Sequence, residues 1–252
     1  MIDTHCHLES VEQLNEALLE AKESGITGIL AVGEDYESNR KTLAITSGQN
    51  PVKAYAALGL HPGKVTAEQT ENTLSQIREN IDKISAIGET GLDFWIKTAK
   101  SSGQQELQVK SFKRHIEIAN KYNLAISAHS RGAWEEALKI AESECLKKCV
   151  FHWYSGPLNI LEKIIKAGYY ISATPALEYS VQHIEAIKNA PLEKILIETD
   201  SPVTYKPAGG IYKAGPKNLS RTANALAKIK QTDIKQIIEI CDKTAKAVFN
   251  LK

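Results

Sequence analysis

Six residues in this sequence could hold divalent cations, and the chemistry they could do depends on whether the fold brings them together. Asp3-Thr4-His5-Cys6-His7 closes a short apolar run. Side chains alternate across a strand, so His5 and His7 face the same way, and two adjacent imidazoles can grip one metal. Glu89 ends the run ISAIGE at 84–89, and its two carboxylate oxygens could bridge two cations. His129 ends LAISAH at 124–129, His152 lies in CVFHW at 149–153, and Asp200 ends KILIETD at 194–200. Four imidazoles and two carboxylates are too nitrogen-rich for a dedicated calcium site. Zn or Mn suits them, with Mg where a substrate supplies oxygens. Two such cations ~3.5–4 Å apart would activate a water and stabilise the leaving oxygen of a phosphodiester. Asp200 is then the candidate general base, with Glu89 the second catalytic carboxylate.

The elements that must carry these residues read as an alternation. Apolar runs at 2–6, 26–32, 54–59, 84–89, 124–129, 149–153, 169–173 and 194–200 are rich in Ile, Val and Ala. They have the composition of strands buried on both faces of a parallel sheet. Amphipathic segments follow each one. Val11, Leu14, Leu18 and Ala21 share one helix face, with Ser10 and Gln13 as a capping box. Thr66 with Gln69 and Ser102 with Gln105 repeat that pattern, and Ser155 before Pro157 opens another helix. A stretch at 233–250 is an extra C-terminal helix. Eight βα units in this length predict an α/β fold, a (β/α)8 TIM-like barrel forming one domain over 1–252. The competing doubly wound sheet would carry a glycine-rich turn after its first strand, and none is present. In a barrel the carboxyl ends of the strands converge, so all six candidates fall on one rim.

Composition bounds the partners. A net charge of +1 excludes a generally basic nucleic-acid coat, so any nucleic-acid contact is local. Four cysteines form no disulfide framework, and MIDTHCHLE is no signal peptide, so the expected compartment is the cytoplasm. No run approaches the ~18 apolar residues of a membrane span, and no obligate protein partner is evident. Around the expected rim, Ser201 to Arg221 contains four basic residues and no acidic one, with Tyr205 beside Lys206. Cations interleaved with aromatics suit a single-stranded backbone with stacked bases. His61 and Arg131 are candidate phosphate contacts, and Trp153 a stacking surface. Asp93 and Glu198 are expected behind the ligands rather than among them. Cys6 is expected buried, Cys145 and Cys149 structural, and His115 and His183 on helix surfaces.

The motifs DTHCH at 3–7, GLHP at 59–62, IGETGLDF at 87–94, AHSR at 128–131, HWYSG at 152–156 and ETDSP at 198–202 resemble, in order and spacing, the TatD family of metal-dependent deoxyribonucleases. The resemblance implies one metal on His5, His7, Glu89 and Asp200, and a second on Glu89, His129 and His152. It implies cleavage of DNA phosphodiesters, often from a 3′ end; single strands or frayed ends are the expected substrate. The chain departs from the family at Phe94-Trp95, where two tyrosines are common, and at Trp153-Tyr154, where Cys-Phe is common. Asn218-Leu219-Ser220 also lacks the family's usual proline. Two other readings keep the ligands: an ester or amide hydrolase, such as an aminoacyl-tRNA deacylase or lactonase, and a non-catalytic nucleic-acid-binding protein.

Overall fold

A computed structural model describes residues 1–252, the side chain of Lys100 excepted. Eight parallel strands stand in chain order: β1 (Ile2–Cys6), β2 (Gly28–Val32), β3 (Lys53–Leu58), β4 (Ile84–Gly91), β5 (Ala125–His129), β6 (Cys149–Phe151), β7 (Tyr170–Ala173) and β8 (Ile195–Ile197). The helices between them are α1 (Leu14–Glu23), α2 (Tyr36–Ser47), α3 (Ala67–Glu79), α4 (Ser102–Tyr122), α5 (Trp134–Ser143), α6 (Leu158–Lys166) and α7 (Val181–Asn189). After β8 come a short hairpin, β9 (Thr204–Tyr205) with β10 (Tyr212–Lys213), then α8 (Leu219–Lys230) and α9 (Ile234–Phe249). The first and last strands meet just beyond their ends, where Asp200 N donates to His5 O at 2.9 Å and His7 N donates to Ser201 O at 2.8 Å. The expected eight-unit barrel is the fold.

Alternation along the strands builds two cores. Ile29, Ala31, Ala56, Leu58, Ile126 and Phe151 belong to the apolar layer shared with the helices. Leu30, Val32, Ala57, Ala125 and Val150 belong to the other, which continues into Val248 and Phe249 of α9. The extra C-terminal helix is therefore part of the barrel's own core. Its Asp242 Oδ1 also accepts from Ile2 N at 2.7 Å.

Local signals hold in some places and slip in others. Thr66 caps α3 by accepting from Gln69 N at 3.0 Å. The cap of α4 is Ser101, accepting from Gln104 N, one residue before the Ser102 signal. The Ser10 box is not formed: Ser10 ends a 3-10 turn, and α1 begins at Leu14.

His115 and His183, expected at the surface, are fully buried. The His115 Nδ1–H donates to Ser111 O at 2.8 Å. The His183 Nδ1–H donates to Tyr154 O at 2.7 Å, and its Nε2 accepts from Thr174 N at 3.1 Å. Both rings are thus held neutral, and burial pushes each down to about 4. Between that value and an unfolded value of about 6.5, the unfolded chain binds more protons. The associated stability is complete above the unfolded value and is lost as pH falls toward 4, by up to about 3 kcal/mol for each ring. Urea unfolding from pH 7 to pH 4.5 should show the decline, with a shallower slope in His183→Gln. Equal slopes would remove His183 from the acid response.

Candidate metal centre

The backbone closure between β1 and β8 sets Asp200 beside the two histidines of β1. Asp200 Oδ1 lies 3.7 Å from His5 Nε2 and 3.3 Å from His7 Nε2. From β4, Glu89 Oε2 reaches 3.6 Å from each of the same two nitrogens. Its other oxygen faces elsewhere: Glu89 Oε1 lies 2.5 Å from His129 Nδ1 and 2.8 Å from His152 Nε2. One buried carboxylate therefore faces two adjoining donor groups, which touch where His5 stacks on His152 at 4.2 Å between centroids. The six residues singled out in the sequence come together.

The donor chemistry fits divalent cations. Ligands ~2.0–2.1 Å from a tetrahedral ion stand about 3.3 Å from one another. The His5 and His7 Nε2 atoms are 3.3 Å apart. The His7 Nδ1–H donates to Val32 O at 2.9 Å, so its Nε2 lone pair faces the cluster. The His129 Nε2–H donates to Asp93 Oδ2 at 2.9 Å, leaving Nδ1 as the inward lone pair. The pocket demands positive charge. Burial opposes a proton on His7, yet the hydrogen bond to Asp200 and the charges of Asp200 and Glu89 raise it to about 10. Glu89 stays well below the usual carboxylate range despite burial, because His152, His61 and His129 surround it.

Behind the donors lies a layer of polar groups that fixes them. Asp93 Oδ2 accepts from Arg131 Nε at 2.9 Å as well as from His129, and its Oδ1 accepts from Trp95 N at 2.9 Å. Burial raises Asp93, but His129 and Arg131 outweigh it and pull the carboxyl down to about 2. Glu198 Oε1 accepts from Trp153 N at 3.1 Å and lies 3.4 Å from His152 Nδ1. Asp3, deeper on β1, accepts from Thr199 Oγ1 at 2.6 Å and so ties β1 to the segment that carries Asp200.

A cavity of about 520 Å³ opens above this floor. His61, Arg131 and Trp153 line it. His61 Nδ1 accepts from Gly63 N at 3.0 Å, so its Nε2 carries the hydrogen and faces inward, 3.8 Å from Glu89 Oε1. Arg131 is half committed, because Asp93 holds both Nε and Nη2. Two expected contacts need correction. Tyr205 is fully buried, donates to Thr199 O at 2.9 Å and packs beneath Trp153, so its ring has no face for a base. Lys206 is exposed but does not line the cavity. Its basic neighbours are paired outward, Lys213 with Glu12, Lys217 with Glu20 and Arg221 with Glu178. Glu34, Trp134 and Tyr179 line the cavity without having been singled out in the sequence. Glu34 and Tyr179 sit in loops after β2 and β7, strands that supply no candidate ligand, and their place in strand-end loops is the signal that marks them.

Barrels with donor sets of this kind at the carboxyl ends of their strands form a class of metal-dependent hydrolases. Within that class the chain belongs to the TatD-related DNase family, whose model matches residues 2–250, and it is a hydrolase. It is 28% identical to the human deoxyribonuclease TATDN3, over 99% of this chain and 94% of that one. It is also 28% identical to YabD of Bacillus subtilis, named an uncharacterized metal-dependent hydrolase, over 100% and 99%. The crystal structure of the TatD homologue YJJV from Escherichia coli superposes with a TM-score of 0.87 at 25% identity, covering 100% of this chain and 98% of that one. Among the described residues no helix is long and apolar enough to cross a membrane.

Proposed function

We propose that this hydrolase cleaves DNA phosphodiester bonds from single-stranded or frayed ends, with two divalent cations, Zn, Mn or Mg, in its centre. The observation that carries the reading is the division of Glu89, one oxygen toward His5, His7 and Asp200 and the other toward His129 and His152. Those two sets would hold one cation each. When bound, the cations supply Lewis acidity, lowering the pKa of water and neutralising charge on the phosphate. The chain's own groups do the remaining work. Asp200, at the edge of the first cluster, takes the proton of the attacking water. His61 Nε2–H donates to a phosphate oxygen, and the part of Arg131 left free by Asp93 adds a second donor. Trp153, seated on Tyr205, offers an aromatic surface to a base. Asp93 and Glu198 keep the two cluster histidines in orientation. The human relative's name as a deoxyribonuclease supports the choice of substrate.

Metal-loaded protein should degrade end-labelled single-stranded DNA faster than a blunt duplex. Treatment with EDTA should abolish the activity, and Mn or Zn should restore it. Ester turnover without DNA cleavage would transfer the site to an ester or amide hydrolase of the deacylase or lactonase kind. Metal-independent DNA binding without turnover would make the protein a binder. Anomalous scattering from metal-soaked crystals would count the cations and identify the side chains that touch them.

A further inference from the structure

All three tryptophans of the chain stand on the rim of the barrel: Trp95 after β4, Trp134 at the start of α5 and Trp153 after β6. Trp153 is part of the reading above; the other two form a separate construction. Their rings meet edge to face, 5.3 Å between centroids at 89°. Each rests on a bare glycine. A Cβ on Gly132 would lie 2.3 Å from Trp95 Cδ1, and a Cβ on Gly156 would lie 2.7 Å from both Cγ and Cδ2 of Trp134. Any other residue at those positions would push the rings away. Trp134 is backed further by Tyr154, at 6.4 Å between centroids, a buried ring whose hydroxyl donates to Pro157 O at 2.7 Å. Three groups therefore fix the Trp134 indole, which still forms part of the cavity wall that includes His129 and Arg131. The same wall carries Ser155 and Ser130, whose buried Oγ has no partner among the described residues. A fixed indole on the cavity wall is what a flat heteroaromatic ring would stack against. The cavity's 520 Å³ lies within the ~300–1,000 Å³ range of small-molecule sites.

We propose that Trp134, braced by Trp95 and Tyr154, is the platform on which the terminal nucleobase of an unpaired strand stacks. It is a specificity-determining residue, and the inference rests on the DNA-cleaving reading above. An interior base of a duplex has both faces covered, and the terminal base of a blunt duplex is held away from the wall by its pairing partner, so this platform takes a base that has left its pair. Single-strand preference would then originate in Trp134 rather than in the metal centre.

The test pairs two substrates with two proteins. One oligonucleotide ends in a normal nucleotide, and its twin ends in an abasic one. Trp134→Leu keeps an apolar side chain against Gly156 and Tyr154 but has no aromatic face. Wild-type kcat/KM should be about tenfold lower on the abasic end, as expected for one lost stacking contact. Trp134→Leu should lose about tenfold on the normal end, stay within about twofold of wild type on the abasic one, and regain part of the loss as Trp134→Phe. Equal loss on both substrates, or loss on neither, overturns the proposal. If wild-type protein cleaves neither, the DNA-cleaving reading fails and tryptophan fluorescence of the metal-loaded protein decides the platform separately. Quenching by the normal oligonucleotide that is weakened in Trp134→Leu supports it; unchanged or absent quenching rejects it.

Discussion

Glu89→Gln should lower turnover on single-stranded DNA by a thousandfold or more, roughly 4 kcal/mol of lost barrier reduction, and should strip the protein of bound cations. The size follows from geometry. Removing one stabilising donor in a hydrolytic site costs on the order of 10²–10³ in rate. Glu89 serves two clusters at once, its Oε2 3.6 Å from His5 and His7 and its Oε1 2.8 Å or less from His129 and His152. Glutamine has nearly the same shape but one carbonyl oxygen. Whichever way the amide turns, its NH₂ group faces imidazole nitrogens whose lone pairs point inward, as fixed by Val32 O behind His7 and Asp93 behind His129. The substitution replaces a shared negative charge with a neutral group that can serve only one cluster. Glutamine keeps the packing, but in the metal-free protein it removes the charge that raises His7, His129 and His152, so the variant should unfold at a somewhat lower temperature after EDTA. Metal analysis of the purified variant, turnover on the labelled strand and the thermal midpoint after EDTA would be measured together. Retention of both cations with near-normal turnover would refute the bridging role.

Much of this centre was legible in the sequence because the ligands obey a positional rule. Strands buried on both faces stand out as apolar runs, and a histidine or carboxylate that ends such a run has few structural reasons to be there. His129, His152 and Asp200 could be assigned to one rim without knowledge of any contact. Residues that depend on a partner distant in the chain were not readable in this way. Lys213 and Lys217 resemble a free basic loop until Glu12 and Glu20, about two hundred positions earlier, are found beside them. The burial of His115 and His183 is not readable, because helical periodicity shows that a helix has a buried face without saying whether a given polar residue lies on it. A carbonyl four positions back takes the Nδ1–H of His115, whose Nε2 has no partner among the described residues, and a carbonyl on another loop takes the Nδ1–H of His183. Trp134 was missed for a related reason. At the first turn of an amphipathic helix it reads as core, and only Gly132 and Gly156, with no side chains of their own, show that space was kept for indole rings. Tyr205 shows the opposite error: an aromatic beside a lysine suggested stacking on a substrate, yet its ring is part of the floor beneath Trp153.

Asp200→Asn separates holding a cation from accepting a proton, which Glu89→Gln cannot do. Turnover should fall by about 10²–10⁴, the range for loss of a positioned general base, while the KM for DNA changes only a few-fold. Asparagine suits the site for two reasons. Asp200 sits at φ 47°, a left-handed conformation that Asn and Asp tolerate better than other residues with a side chain. Its backbone N–H must also keep donating to His5 O, which closes the barrel. The side-chain oxygen facing His5 and His7 is retained, whereas the second, proton-accepting oxygen becomes an NH₂. A cation held, as proposed, by Glu89, His129 and His152 would not depend on the altered side chain and should remain. Metal analysis should therefore find at least one cation per chain in an almost inactive protein. Asp200→Ala should lower occupancy of the first cluster as well, so the two variants together divide the residue's effect between its two functions. If Asp200→Asn retained its cation and turned over DNA at the wild-type rate, the proton would have to leave by another group on the cavity wall. Glu34, which lines that wall near His7 and His61, would then be the carboxylate to change next.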